Sequence, residues 1–140
     1  MFPQSTRRSL PMALLRARES VMSHFRPMLA AHNVTEQQWR VLRVVDEEGP
    51  LDATEVANRA SVLAPSLTRI IKTLEDRGFI LRRRADDDGR RAVLSVTESG
   101  KAFIEAISPE QRRIYQSLEE KYGVERIEKL LDLLEEFVEE

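Results

Sequence analysis

From Ser9 to about Ala31 the chain has no glycine, and Leu10, Leu14, Ala17, Val21, Phe25 and Met28 recur at three-to-four spacing, the pattern of one apolar helix face. Pro27 is expected to kink or shorten the last turn, because it has no amide hydrogen for the preceding carbonyl. Thr35 and Gln38 stand three apart as a capping box. They open a second helix through Trp39, Leu42 and Val45 that Gly49 and Pro50 stop. Two short helices follow. Thr54 is expected to cap the first, with Val56, Ala57 and Ala60, and Pro65 to open the second, which runs to about Arg77 with Gly78 as a left-handed cap.

The period then changes. Phe79 to Ala85 and Arg91 to Val96 are β-compatible runs on either side of Asp86-Asp87-Asp88-Gly89-Arg90, so a hairpin is predicted with its turn there. Thr97 and Gly100 mark a return to helix. Ser108-Pro109-Glu110-Gln111 has the form of a fresh helix start, so a break or kink is expected at that point. After Gly123 a last helix carries Ile127, Leu130, Leu131, Leu134 and Val138 on one stripe.

Helix, short turn, helix and hairpin is the order of a winged helix-turn-helix. The predicted fold is mainly α with a small β-hairpin wing, in a single domain over 1–140. Residues 35–100 form the winged helix-turn-helix region, and 9–33 and 101–140 are flanking dimerisation helices. The stripes on the flanking helices would expose a large apolar surface, which usually marks an interface. The alternative is that they fold back on their own wing region in a monomer. Two-fold pairing would set two recognition helices about 34 Å apart, one DNA turn, on a pseudo-palindromic operator.

Composition narrows the chemistry. The 140 residues are 41% apolar and 33% charged, as in an ordinary globular domain, and no run nears the roughly 20 apolar residues of a membrane span. Two arginines near the N-terminus precede no apolar segment, so no secretory signal is read and cytoplasmic residence is expected. The absence of cysteine excludes disulfides, a thiolate nucleophile and a zinc ribbon. His24 and His32, eight apart, match no common metal spacing, so neither metal nor cofactor is expected. No Ser-His-Asp, paired-carboxylate or phosphate-loop arrangement suggests an enzyme.

The formal net charge of −2 conceals +2 over residues 1–49, +1 over 50–100 and −5 over 101–140. Attraction to DNA depends on where cations cluster, and the middle third holds Arg69 with Lys72, Arg82 to Arg84, and Arg90 with Arg91. In the second short helix Leu67, Ile70, Ile71 and Leu74 form an inward stripe, while Ser66, Thr68, Arg69, Lys72 and Thr73 face outward. Arginine and lysine can donate to guanine or phosphate, and small hydroxyls permit close approach. A solvated helix face is the bland alternative, outweighed by the position between a tight turn and a hairpin. The candidate DNA contacts are Pro65, Ser66, Thr68, Arg69, Lys72, Arg90 and Arg91. Arg90 is placed for the narrow minor groove, and Asp88 is expected to pair with it across the turn and aim it. The alternative for Asp88 is a solvated acidic turn.

Arg16, Ser20 and Ser23 share a polar strip on the first helix, and Trp39 and Arg43 lie four apart on the second. Together they would suit a small aromatic carboxylate, the guanidinium taking the carboxylate, the indole the ring and a serine the phenol. Otherwise Trp39 is core and the arginines form ion pairs.

Asp88-Gly89-Arg90 followed by Leu94-Ser95-Val96-Thr97 and Gly100 resembles the wing signature of the MarR family of transcriptional regulators. Ser66-Leu67-Thr68-Arg69 with Leu74-Glu75 and Gly78 resembles its recognition helix. The likeness spans essentially the whole chain. Ala17-Arg18-Glu19, Phe25-Arg26-Pro27 and His32 to Arg40 are similar to the branch regulating homoprotocatechuate degradation operons. In one departure Leu63-Ala64 precedes Pro65 where a capping hydroxyl is expected, so that helix should start less firmly. The resemblance implies an obligate homodimer that binds double-stranded DNA and represses aromatic-acid (homoprotocatechuate or 4-hydroxyphenylacetate) catabolism until a phenolic acid releases it. A ligand-blind winged-helix DNA-binding or protein-assembly module is the other reading.

Overall fold

Ser9 accepts the Met12 amide at 3.3 Å and opens α1 (Leu10–Ala31) after a single 3-10 turn at Thr6–Arg8. The computed structural model describes residues 5–85 and 88–138, and only the backbone of Ala85 and of residues 88–90. Pro27 does not shorten α1, which continues to Ala31 because Phe25, Met28 and Leu29 are buried around the proline and hold the last turn. Higher on the predicted stripe Leu10, Leu14 and Val21 are exposed, so one chain buries only the lower end of that face.

The expected capping box opens α2 (Glu36–Glu48). The Thr35 hydroxyl accepts the Gln38 amide at 3.1 Å, and the Gln38 side chain accepts the Thr35 amide at 3.0 Å. Next come β1 (Leu51–Asp52), α3 (Ala53–Ala60) and α4 (Ala64–Asp76). Asp52, not Thr54, caps α3. Its carboxylate accepts the Glu55 amide at 2.9 Å and sits at the positive end of the helix dipole, whereas Thr54, two residues on, is already within the first turn. Gly78, at φ +78°, follows α4 as expected, and the amide of Phe79 reaches back to the Leu74 carbonyl at 3.0 Å.

β2 (Ile80–Ala85) and β3 (Asp88–Val96) form the hairpin, from Ile80 opposite Val96 to Arg84 opposite Ala92. A register shift between Arg84 and Ala85 sets Ala85 opposite Asp88. Asp88, Gly89 and Arg90 therefore lie on the returning strand and not in the turn. Asp86 and Asp87 lie outside the described residues, as do the side chains of Asp88 and Arg90 and the pairing expected between them. The sheet has a third strand that periodicity did not show: β1 pairs antiparallel with β3, Leu51 opposite Leu94, in the order β1-β3-β2. A two-residue strand is too short for an alternating pattern.

In α5 (Glu98–Tyr122) the expected break at Pro109 is absent, and the helix runs through it. One missing amide costs less there than ending a helix flanked by good helix formers. α6 (Val124–Val138) follows Gly123, at φ +88°.

The chain divides into two compact units, residues 1–107 and 108–140. The core of the first packs Met28 and Leu29 of α1, Val41, Leu42 and Val45 of α2, Val56 of α3, Leu67, Ile71 and Leu74 of α4, Leu94 of β3, and Ile104 and Ile107 of α5. Truncating a residue such as Leu74 to alanine would cost about 2–5 kcal/mol. In the second unit no described residue is buried.

Candidate nucleic-acid interface

The α4 helix separates its two faces cleanly. Leu67, Ile70, Ile71 and Leu74 are buried, and Ser66, Thr68, Arg69 and Lys72 are exposed, as the spacing predicted. Thr73 is half-buried, and its hydroxyl donates to the Arg69 carbonyl at 3.1 Å. Pro65 is exposed in the first turn, and no side chain caps the helix, Leu63 standing at the N-cap. Lys72 is 3.7 Å from Asp76, an exposed i,i+4 pair too weak to withhold the ammonium from a phosphate. Arg91 is exposed on β3, 3.9 Å from the second oxygen of the capping Asp52.

Two further arginines fix this surface to the body. Arg82 donates to Glu75 at 2.9 Å and ties the hairpin to α4. Arg40 donates through Nε to the Ala60 carbonyl at 2.9 Å and through Nη2 to the Ser61 carbonyl at 3.3 Å, across the turn before α4, where Ser61 is left-handed at φ +53°. Sequence reasoning missed the role of Arg40, since a contact between side chain and carbonyl 20 residues apart leaves no periodic trace. Glu36, with a side chain only 18% exposed, binds Arg40 at 2.7 Å and also meets Arg18 and Arg26 of α1. Arg26 in turn donates to both oxygens of Glu19, at 2.9 and 3.0 Å, and this hydrogen bonding lowers the Glu19 carboxyl below its ordinary value.

Of the five candidate effector residues, Arg16, Ser20 and Ser23 are exposed on α1, and the Ser23 hydroxyl donates to the Ser20 carbonyl at 2.6 Å. Trp39 is 8% exposed and lies edge-on to Phe103, with centroids 6.5 Å apart, while Phe103 stacks on Phe79 at 4.4 Å. The Arg43 guanidinium carbon lies 5.6 Å from the indole centroid, and the same group pairs with Glu47 at 2.6 Å. The structure thus joins Arg43 to Trp39 and Ser20 to Ser23. The interactions described for one chain do not link these two pairs.

Thr97 and Gly100 join wing to helix. The Thr97 hydroxyl donates to the Gly78 carbonyl at 2.6 Å and accepts the Gly100 amide at 2.9 Å, capping α5 while holding the end of α4.

A reading helix between a tight turn and a three-stranded antiparallel wing defines the winged helix-turn-helix class of DNA-binding regulators. The MarR family matches residues 34–92. The homoprotocatechuate degradative operon repressor of Escherichia coli is 40% identical over 130 residues, 93% of this chain and 88% of that protein. This chain belongs to the MarR family. Among solved structures, NadR in complex with 4-hydroxyphenylacetate is 41% identical with a TM-score of 0.84, over 98% of this chain and 97% of that one. The transcriptional repressor CouR, bound to a 23-mer DNA duplex, is 26% identical with a TM-score of 0.86, over 99% and 100%.

Proposed function

We infer that the protein is a homodimeric, sequence-specific transcriptional repressor of an aromatic-acid catabolic operon, released from DNA by a small phenolic acid. The observation that carries this reading is α4, with Leu67, Ile70, Ile71 and Leu74 in the core and Ser66, Thr68, Arg69 and Lys72 in solvent. Pro65, Ser66, Thr68, Arg69 and Lys72 take the major groove, and Arg90, oriented by Asp88, takes the minor groove with Arg91 beside it. Its work is binding, without a catalytic step, and is done in the cytoplasm where DNA is reached.

Pairing is supported by the apolar residues that one chain leaves exposed. These include Leu10, Leu14, Leu15 and Val21 on α1, and Leu130, Leu131, Leu133, Phe137 and Val138 on α6. An unburied α6 gains stability only against another surface, and a second copy offers the same stripe by two-fold symmetry. The effector's carboxylate goes to an arginine, Arg16 or Arg43, and its ring near Trp39, with Ser20 or Ser23 at the phenol. The operon repressor and the 4-hydroxyphenylacetate complex named above support a phenylacetate as effector.

The test is a gel-shift titration at fixed salt on a duplex selected from a randomised pool. A two-fold symmetric sequence should emerge, and 4-hydroxyphenylacetate or 3,4-dihydroxyphenylacetate should weaken its binding. A chain that binds the duplex but ignores both acids is a ligand-blind binder, and one that selects no sequence is not a repressor.

A further inference from the structure

The first turn of α4 has no part in the core. Residues 63–66 are all exposed, and the apolar stripe begins only at Leu67. Leu63, at the N-cap, is 77% exposed, more than any other large leucine or isoleucine side chain among the described residues. A leucine there neither buries its side chain nor accepts a first-turn amide, as serine or aspartate would. The turn is also poorly furnished for a phosphate. Pro65 has no amide hydrogen, and the amides of Ser66 and Leu67 both donate to the Leu63 carbonyl, at 3.0 and 3.1 Å. The starting end of a recognition helix is the part that meets base edges, and the apolar group displayed there by a standard base is the C5-methyl of thymine.

We propose that Leu63 is a specificity residue that packs on a thymine methyl group in each operator half-site. The proposal rests on α4 being the recognition helix and adds to the polar contacts an apolar one, continuous with the exposed Pro65 and Ser66. Leucine lacks hydrogen-bonding groups, so its contribution is discrimination by shape and desolvation. Burying one methyl group should make the matched base about fourfold better per half-site.

The test uses the full chain and a duplex selected by the wild-type protein. Each thymidine of a half-site is replaced in turn, with its symmetry mate, by deoxyuridine, which keeps the base pair and removes only the methyl. At one position wild-type affinity should fall about fourfold for each half-site changed. The Leu63→Ala protein should bind the thymidine and deoxyuridine duplexes alike. Leu63→Ser, which supplies a capping hydroxyl and should melt no lower than wild type, should show the same indifference, so misfolding is not the cause. The proposal is overturned by wild-type affinity unchanged at every deoxyuridine, or by Leu63→Ala retaining the discrimination. It is also overturned if Leu63→Ser sediments as a monomer where wild type is a dimer, which would assign Leu63 to the protein's own interface. A wild-type chain that selects no sequence overturns the DNA-binding reading beneath it.

Discussion

Gly100 lies against the backbone of Phe79 so closely that a Cβ there would stand 2.4 Å from the Phe79 carbonyl oxygen and 2.7 Å from Cγ2 of Val96. Backbone cannot move aside as a flexible side chain can. The contact presses the start of α5 onto the base of the wing, while Thr97, three residues earlier, binds both Gly78 and Gly100. Gly100→Ala should therefore destabilise the fold by about 1–3 kcal/mol, despite the better helix propensity of alanine. Urea unfolding measures it, and a neutral or stabilised variant would show that this junction yields.

Acid should weaken the link within α1. Because Arg26 holds the Glu19 carboxyl below its ordinary value, the pair's contribution is complete above the usual carboxylate range. It is lost as pH falls through the lowered folded value. Unfolding curves for wild type and Glu19→Gln should therefore differ at pH 7 and converge toward pH 3. A gap that widens in acid would contradict the sign.

Association should depend on α6. Leu131 is 45% exposed in one chain, and Leu131→Asp or Leu134→Asp would place an unpaired carboxylate in the proposed apolar seam. Sedimentation at micromolar concentration should show a dimer for wild type and monomer or aggregate for either variant.

On DNA the two arms of the surface should differ. Lys72→Ala should lower affinity for all sequences and reduce the salt slope by about one per site, as loss of a phosphate contact does. Arg90→Ala should cost about 1–3 kcal/mol on the operator while leaving the dimer intact. Gel shifts at several salt concentrations separate the two, and substitutions that alter only melting temperature would remove both residues from the interface.

Effector binding should be visible in Trp39, the sole tryptophan, through fluorescence titrated with each phenylacetate. A tenfold drop in operator affinity requires about 1.4 kcal/mol of differential binding, and operator DNA must weaken the ligand by the same factor. Equal ligand affinity with and without operator would leave the acid no role in release.

The local grammar of the chain is legible in its sequence. The Thr35 and Gln38 box, the glycine after α4, the buried stripe from Leu67 to Leu74 and the paired strands each follow from interactions within a few residues, which leave a fixed spacing. The family-like Thr97 and Gly100 were legible too, although only the fold shows that Gly100 answers the Phe79 carbonyl. Tertiary structure decided what spacing could not. Asp52 displaced Thr54 as a cap, since the chain entering from β1 brings its carboxylate to the Glu55 amide. Burial of Met28 and Leu29 carried α1 past Pro27, and α5 stays helical on both sides of Pro109. β1 exists only because β3 offers it an edge. Arg40 found carbonyls 20 and 21 residues away, and Trp39 went into an aromatic cluster edge-on to Phe103, 64 positions along the chain. Short-range hydrogen bonding and periodicity are written in neighbouring residues, whereas packing and side chain to backbone contacts arise only when distant segments meet.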